Sequence, residues 1–144
     1  MSQQIWQQSV SLEELNQQLT PSCRFYGLCY VAKNENSLEA EFLVTENCLQ
    51  PAGLLHGGVT CLLAESVGSV AANLCLASGV HGVGMSLNGN HLRSARRGDR
   101  VKMVAMPRHI GRRTHLWQID CFADEGNQKV IAVVSLTVAV VDPV

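Results

Sequence analysis

The residues best suited to chemistry lie in one stretch of the sequence, between Leu49 and Gly79. Glu65 is the only charged side chain in this stretch. Burying a carboxylate among apolar groups is unfavourable unless it is paired, hydrogen-bonded or protonated. Glu65 therefore either faces solvent or serves a functional site. Its small, weakly polar neighbours favour a functional site, because a solvated helix face is usually rich in charged and polar side chains.

A long helix must position Glu65. The chain turns on His56, Gly57 and Gly58 and then continues for about twenty residues without a proline. This pattern predicts a helix at about 57–78, which would span ~30 Å and must pass through the core. One face of the predicted helix is apolar and consists of Val59, Leu63, Val67, Val70, Leu74 and Ala77. The opposite face carries Cys61, Glu65, Gly68, Ser69 and Ala72.

Length and composition set the broad class of protein. A chain of 144 residues with 47% hydrophobic residues fits one globular domain over residues 1–144. The six cysteines form no C-x-x-C motif and the five histidines show no metal-ligand spacing, so we expect buried free cysteines and no metal. No basic segment precedes an apolar run near the N-terminus, so we expect a cytoplasmic protein. Glu65 and Asn73 make the long helix a poor membrane span.

Most of the remaining chain has the pattern of strands. Ser11 and Glu14 form a capping box before regularly spaced leucines, which predicts a short helix at about 11–19. Strand patterns follow at 25–32, 37–44, 83–88, 101–106, 116–122 and 130–141. Turns are predicted at 34–36 and 123–126. One long helix with five or six strands, mostly joined as hairpins, predicts an α+β domain whose antiparallel sheet wraps around one helix.

Positive charge is concentrated in one region of a chain whose net charge is −1. Between positions 93 and 113, eight basic residues accompany only Asp99, a formal charge of +7. These are Arg93, Arg96, Arg97, Arg100, Lys102, Arg108, Arg112 and Arg113. The region suits a ligand with a few phosphates, although arginines that only solvate strand ends would give the same pattern. Nucleic acid is disfavoured, because no aromatic residues interleave with the arginines.

The motifs around the predicted helix resemble those of the hotdog-fold acyl-CoA thioesterases. The residues are Gln50-Pro51-x-Gly53-x-x-His56-Gly57-Gly58 and Ala64-Glu65-Ser66-x-Gly68-Ser69. A glutamine six residues before the histidine and a glutamate nine residues after it make the pattern specific. The resemblance covers nearly the whole chain and extends to the branch that hydrolyses aromatic acyl thioesters, which includes enzymes of menaquinone and enterobactin synthesis. Its further motifs are Leu12-Glu13-x-Leu15-Asn16, Asn88-x-Asn90-His91-x-Arg93, Pro107-x-His109-x-Gly111 and Trp117-Gln118.

The resemblance implies a fold, an assembly and a reaction. Family members form a strongly curved antiparallel sheet around one long helix, pair into homodimers whose sheets join, and usually assemble into homotetramers. Their active sites lie at the dimer interface. The catalytic carboxylate falls on Glu65, as nucleophile or as general base on water. Gln50 and the backbone N–H of Gly57, from the other subunit, polarise the thioester carbonyl. His56 and Ser69 match supporting polar positions.

The physical chemistry of a helix agrees with these roles. A helix N-terminus offers unpaired N–H groups and a positive dipole end to an oxyanion. Glu65 lies about two turns further along the same helix, too far away to attack a carbonyl bound at that N-terminus. This distance favours a site shared by two subunits. Ser69 lies one turn beyond Glu65 on the same face.

The resemblance also implies a binding surface for the CoA part of the substrate. The matching residues are Gly84, His91, Leu92, Arg93, Ser94, Arg108, His109, Ile110, Gly111, Arg112 and Arg113. We expect phosphates near Arg93, Arg108 and Arg112, and no separate cofactor, because CoA is part of the substrate. The alternative for His91 is an ordinary strand-face histidine. The alternative for His56 is a residue that only orders the start of the helix.

Three functions are compatible with the sequence. The first is hydrolysis of an aromatic acyl thioester, such as a dihydroxynaphthoyl-CoA or a hydroxybenzoyl-type thioester of CoA or of a carrier protein. The second is a non-catalytic acyl-CoA-binding or sensing module. The third is hydration or dehydration of an acyl thioester, which normally needs a histidine and an acidic partner in another arrangement. Ala52 replaces the phenylalanine usual in related sequences, and Cys48 is also unusual, so the acyl group stays open.

Overall fold

Six antiparallel strands and one long helix make up most of the structure, a computed structural model that describes residues 4–123 and 129–143. The helices are α1 (Leu12–Gln17), α2 (Pro21–Phe25) and α3 (Gly57–Leu74), with a 3-10 turn at Glu46–Cys48. The strands are β1 (Cys29–Lys33), β2 (Leu38–Leu43), β3 (His81–His91), β4 (Arg100–Ile110), β5 (Thr114–Ala123) and β6 (Lys129–Val141). They form one sheet in the order β1-β2-β4-β5-β6-β3.

Strand β2 shows how the alternating sequence pattern produces the sheet. Leu38, Ala40 and Phe42 are fully buried, whereas Glu39 and Glu41 point away from the core. Each of these glutamates pairs with a basic residue on the adjacent strand β4, at 2.9 and 3.3 Å. The predicted turn at 34–36 joins β1 to β2, and the predicted α+β class is confirmed. The turn predicted at 123–126 falls mostly outside the described residues.

The buried face of α3 differs from the predicted stripe. Gly68 and Ala72 were expected on the opposite face, but both are buried. A Cβ on Gly68 would lie 2.8 Å from the Cδ2 atom of Leu136, so the absence of a side chain lets the helix approach the strands closely. Small residues on this helix therefore allow close packing against the strands. A pattern that considers only large apolar residues misplaces the buried face of the helix for this reason.

Helix α3 also ends earlier than predicted, at Leu74 rather than about residue 78. The N-terminal segment terminates it, because the backbone N–H groups of Gln7 and Gln8 both donate to the Leu74 carbonyl. The Gln8 side chain donates to two more carbonyls at this end. These bonds satisfy carbonyls that a longer helix would have used internally. Among the described helices, none is long and apolar enough to cross a membrane.

The N-terminal region contains one helix that the sequence analysis did not predict. The capping box of α1 forms as expected at Ser11. Thr20 and Pro21, read as the end of that helix, instead begin α2, since proline is favoured in the first helical turn. The strand predicted from residue 25 therefore starts at Cys29. Cys29 is exposed and Cys61 is only half-buried, so the expectation of buried cysteines holds for the other four.

Replacing Leu63 with alanine should destabilise the protein strongly. Leu63 is 0% exposed in the core, and truncation of a buried leucine costs about 2–5 kcal/mol through lost apolar contact and the remaining cavity. The free energy of unfolding, measured by chemical denaturation, checks this. The matched control is Leu62→Ala on the same helix, where the side chain is 38% exposed and the loss should be much smaller. Equal losses at both positions would contradict the assigned helix face.

Candidate active site

The polar face of α3 lies along strand β3. Five residues of the helix recur every four positions and so form one stripe: Gly57, Cys61, Glu65, Ser69 and Asn73. Four of them, all except Ser69, contact β3, as the following distances show. We call this contact the α3–β3 seam.

Glycine residues make the α3–β3 seam close. A Cβ on Gly84 would lie 2.8 Å from the Oε1 atom of Glu65, so the carboxylate occupies the space where a side chain would project. At the start of the helix, a Cβ on Gly57 would lie 2.8 Å from the Nε2 atom of His91. The predicted site residues Glu65 and Gly84 are therefore neighbours, and so are Gly57 and His91.

Contacts of two further helix residues, Cys61 and Asn73, complete the seam. The Cys61 sulfur lies 3.8 Å from the Nε2 atom of His91, and a Cβ on Gly89 would lie 2.6 Å from that sulfur. At the far end, Asn73 donates to the Gly82 carbonyl at 3.1 Å and accepts from the Gly82 N–H at 2.9 Å. The signal for Asn73 was present in the sequence, since it follows Glu65 by eight residues and therefore shares its helix face.

The thiol of Cys61 does not compete with Glu65 as a nucleophile. Burial raises the pKa of Cys61, and the nearby Glu65 carboxylate raises it further. The thiolate is the nucleophilic form of cysteine, so a thiol that stays protonated near neutral pH is unreactive. Besides Cys61, this helix face carries Glu65, the predicted catalytic carboxylate, and Ser69.

The N-terminus of α3 presents an unpaired donor. His56 is the N-cap residue, and its Nδ1 atom accepts a hydrogen bond from the Gly58 N–H at 2.8 Å. Its carbonyl accepts from the next two N–H groups, of Val59 and Thr60. In the described part of the chain, the Gly57 N–H has no hydrogen-bond partner. It therefore remains available to an oxyanion at the positive end of the helix dipole. The structure gives His56 the role of ordering this helix start, while its supporting role in catalysis stays a prediction.

Gln50 is held in a turn that orients its side chain. The backbone of Gln50 accepts from the Gly53 N–H at 2.9 Å and donates to the Leu54 carbonyl at 2.8 Å. Gly53 has a φ of +81°, a conformation that glycine adopts without strain. The Gln50 Oε1 atom accepts a hydrogen bond from the Ala52 N–H. Because the side-chain oxygen is engaged in this way, the NH₂ group is the free donor.

A cavity of about 350 Å³ brings several predicted residues together. It lies between the loop before α3 and the segment after β3, which are joined by the hydrogen bond from the Leu55 N–H to the Ala95 carbonyl. We call it the Gln50 cavity; its lining includes Gln50, Gly57, His91, Leu92, Arg93 and Ser94. The predicted carbonyl-polarising groups and one predicted CoA-binding segment therefore share one cavity.

A second cavity, of about 550 Å³, contains the predicted carboxylate. It lies between α3 and the N-terminal elements, and its lining includes Leu15, Leu19, Tyr30, Glu65, Ser69 and Val70. We call it the Glu65 cavity. No described residue lines both cavities. A single chain thus separates Gln50 and Gly57 from Glu65 and Ser69.

The predicted CoA-binding residues divide into two groups as well. His91 pairs with Ala132 of β6, whereas His115, beside the β4–β5 hairpin, pairs with Val138 of the same strand. Six residues of strand correspond to ~20 Å. Residues 91–94 and residues 108–113 therefore lie near opposite ends of the sheet. The basic region, expected to be one surface, is two surfaces in a single chain, because strand β4 carries the sequence from one end to the other.

The β4–β5 hairpin presents its charged residues to solvent. Arg108, Arg112 and Arg113 are exposed, as are His109 and Ile110. The Arg108 Nε atom donates to Gln118 at 3.1 Å. Gly111 is confined by the His109 ring and by the Thr114 carbonyl, which leaves no room for a side chain in this tight turn. The pKa of His115, buried behind the hairpin, is lowered by burial and then by His109.

The curved antiparallel sheet around one helix, with an unpaired donor at the helix start and a carboxylate on its face, is typical of the hotdog fold. The sequence model of the thioesterase superfamily matches residues 52–130, more than half of the chain. This chain therefore belongs to the thioesterase superfamily. The predicted fold, family and enzyme class, a hotdog thioester hydrolase, are confirmed.

Individual relatives agree with this assignment. The 1,4-dihydroxy-2-naphthoyl-CoA hydrolase of Escherichia coli is 42% identical over 123 residues, which cover 85% of this chain and 90% of that protein. A crystal structure of a Haemophilus influenzae thioesterase matches with a TM-score of 0.90 and 38% identity, covering 96% of this chain and 95% of that chain. A mutant thioesterase from Pseudomonas aeruginosa matches with a TM-score of 0.88 and 41% identity, covering 95% and 98%.

Replacing Gln50 with glutamate should lower kcat by about 10²–10³-fold, as expected when one oxyanion donor is lost. Glutamate keeps an oxygen that accepts from the Ala52 N–H, but it exchanges the NH₂ donor for a negatively charged oxygen. Steady-state thiol release measures the effect. Gln7→Glu, at an exposed position, is the control for the added charge. A kcat close to that of the unmodified protein in Gln50→Glu would show that the NH₂ group is not used.

Proposed function

We propose that this protein is an acyl-CoA thioesterase that hydrolyses an aromatic acyl thioester at a site formed by two copies of the chain. The observation that carries the proposal is the separation of Gln50 and Gly57 from Glu65 and Ser69 into two cavities. Each half contains groups that acyl transfer needs, and neither half contains all of them. A second copy supplies the missing half.

Strand β3 offers the surface through which two copies pair. It is the last strand of the sheet and bonds only to β6, so one edge is unpaired among the described strands. Val83 is 54% exposed and Met85 is 62% exposed on this strand. An unpaired edge with apolar side chains favours addition of another strand. Two β3 strands related by a twofold axis would join two sheets through identical surfaces.

Antiparallel pairing of two β3 strands also resolves the two separations within one chain. The beginning of one strand, where Gly84 contacts Glu65, then lies towards the end of the other, where His91 contacts Gly57. The β4–β5 hairpin of one copy likewise lies towards residues 91–94 of the second copy. The two arginine groups become one surface for the phosphates of CoA, with Arg93 from one copy and Arg108 and Arg112 from the other.

The reaction follows from these positions. The thioester carbonyl binds with its oxygen towards the Gly57 N–H and the NH₂ group of Gln50. As the carbonyl carbon is attacked, these donors and the helix dipole stabilise the negative charge that develops on the oxygen. Glu65 of the second copy either attacks the carbon directly or takes a proton from the attacking water. The tetrahedral intermediate collapses with loss of the CoA thiolate, which is protonated to the thiol. When water is the attacking group, this collapse gives the free acid directly. When Glu65 is the attacking group, it gives a mixed anhydride between the acyl group and Glu65, which water then hydrolyses to the free acid and the Glu65 carboxylate.

The aromatic acyl group and the use of CoA are supported by the named activity of the Escherichia coli relative. The exposed arginines support a substrate with phosphates rather than a small ester. Assembly of dimers into tetramers, a cytoplasmic location and the absence of a separate cofactor stay predictions from the resemblance.

Replacing Glu65 with glutamine should reduce thiol release by about 10²–10⁴-fold, the range associated with loss of a general base, while binding of a non-hydrolysable acyl-CoA thioether persists. Kinetic assays measure the rate of thiol release, and calorimetric titration measures binding of the thioether. Glu46→Gln, at an exposed position on the loop before α3, is the control. Turnover near that of the unmodified protein would remove Glu65 from the mechanism.

Mixing two inactive variants tests whether the site is shared. The Glu65→Gln and Gln50→Ala chains are co-expressed with different affinity tags, so that half of the dimers contain one chain of each kind. In such a mixed dimer, one of the two sites combines an intact Gln50 with an intact Glu65. Activity should return to about a quarter of that of the unmodified protein. Glu65→Gln chains carrying both tags give the baseline. If mixed dimers are isolated and show no activity above this baseline, the site lies within one chain.

A further inference from the structure

We propose that Tyr30 determines acyl-group specificity, by hydrogen bonding through its hydroxyl to a neutral polar substituent, such as a ring hydroxyl, on the acyl group in the Glu65 cavity. The inference rests on the proposed function, because it assumes that the acyl group enters the cavity beside the catalytic carboxylate. Tyr30 belongs to β1 and is not among the residues of the motifs that carry the family resemblance.

The Tyr30 hydroxyl has no partner within the described chain. Tyr30 is only 3% exposed, and none of the hydrogen bonds of the described residues involves its side chain. Every buried side-chain oxygen of the described residues that is closed off from open space has a hydrogen-bond partner. The Tyr30 oxygen therefore retains contact with open space, and Tyr30 is one of the residues that line the Glu65 cavity. A buried hydroxyl without a partner is unfavourable, and a ligand that pairs with it gains a hydrogen bond.

Most other polar groups of the cavity wall are already engaged. The Thr20 hydroxyl accepts from the Cys23 N–H, and the Ser66 hydroxyl donates to the Leu62 carbonyl at 3.0 Å. The Asn73 side chain is bonded to the backbone of β3. The Ser69 hydroxyl is unengaged, but it lies one helical turn from Glu65, beside the reacting carbonyl. Tyr30 is thus the hydroxyl available to a part of the acyl group away from the thioester.

Size and charge define the class of acyl group. A volume of about 550 Å³ falls within the range of small-molecule pockets, about 300–1,000 Å³. Leucine and valine side chains make the walls apolar. Glu65 is the only acidic side chain among the described lining residues, and no basic side chain accompanies it. A negatively charged substituent would be repelled and left without a counter-ion, so the substituent is neutral.

The Tyr30 phenol is suited to a neutral partner. Burial raises the pKa of Tyr30, and the neighbouring Cys23 raises it further. The phenol is therefore protonated at all pH values where the enzyme would be assayed, and it can both donate and accept. A ring hydroxyl on the acyl group pairs with it in either direction, whereas a methyl group of similar size cannot.

The test compares benzoyl-CoA esters that carry a hydroxyl, a methyl or a carboxyl group at each ring position. We expect the kcat/KM of the best hydroxyl isomer to exceed that of its methyl counterpart by about 3- to 10-fold, the range of one neutral hydrogen bond. Tyr30→Phe should abolish this difference and leave the methyl ester unchanged. Tyr26→Phe, which removes a hydroxyl outside the Glu65 cavity, should preserve it. Thermal unfolding of both variants verifies that they remain folded.

Several outcomes would overturn the assignment. A hydroxyl preference that survives Tyr30→Phe would show that another group recognises the substituent. If the benzoyl-CoA with a carboxyl group on the ring is hydrolysed better than the hydroxyl and methyl compounds, the cavity does not exclude a negatively charged substituent. If the unmodified protein releases thiol from none of the esters, the proposed function fails, and Tyr30 is then tested without catalysis by titrating hydroxybenzamide and methylbenzamide isomers. Equal binding of these probes to the unmodified protein and to Tyr30→Phe would overturn the Tyr30 assignment independently.

Discussion

The close approach of helix α3 to strand β3 is the constraint on which the candidate site depends. The Glu65 carboxylate and the Cys61 sulfur occupy volumes that side chains on Gly84 and Gly89 would fill, and the His91 ring occupies the volume beside Gly57. A larger residue at one of these glycines would displace the Glu65, Cys61 or His91 side chain, or the helix itself. The glycines therefore do more than permit turns, because they fix the distance between a rigid helix and the open edge of the sheet. Both Gly57, the predicted oxyanion donor, and the Glu65 carboxylate contact the strand here.

A rigid helix also keeps Gly57 and Glu65 of one chain apart. Gly57 and Glu65 are eight residues apart on α3, which corresponds to ~12 Å along the axis. No side-chain rotation closes such a gap, and a bend in the helix would disrupt the packing of Leu63 and Val67 in the core. In the proposed two-copy site, the geometry of the reaction would be set by how two rigid helices are placed relative to each other. Changes in the proposed pairing of β3 would then alter catalysis without altering any predicted catalytic residue.

Local patterns in the sequence predicted the parts of the structure that depend on local physics. The alternation at Leu38, Ala40 and Phe42 predicted β2, and the isolated charge at Glu65 indicated the helix face that carries the candidate site. Predictions were wrong where contacts between residues distant in sequence determine the structure. The end of α3 depends on hydrogen bonds from Gln7 and Gln8, some seventy residues earlier in the chain. The division of the arginines depends on strand register, and the Glu65 cavity depends on the docking of α1 and β1 against α3. The spacing of apolar residues within one segment does not show which distant segments contact it.

Among the described strands, the outer edge of β3 is unpaired in a newly synthesised single chain. Natural edge strands are usually guarded by lysine, proline, bulges or short length. Strand β3 is eleven residues long and contains no charged residue other than its terminal histidines and no proline, although it has a bulge between Gly84 and Ser86. Until this edge is covered, the folded monomer exposes a template for indiscriminate strand addition. Burial of β3 would therefore protect the chain from aggregation, so the surface proposed to assemble the catalyst would also determine how long a solitary chain persists in a crowded cell.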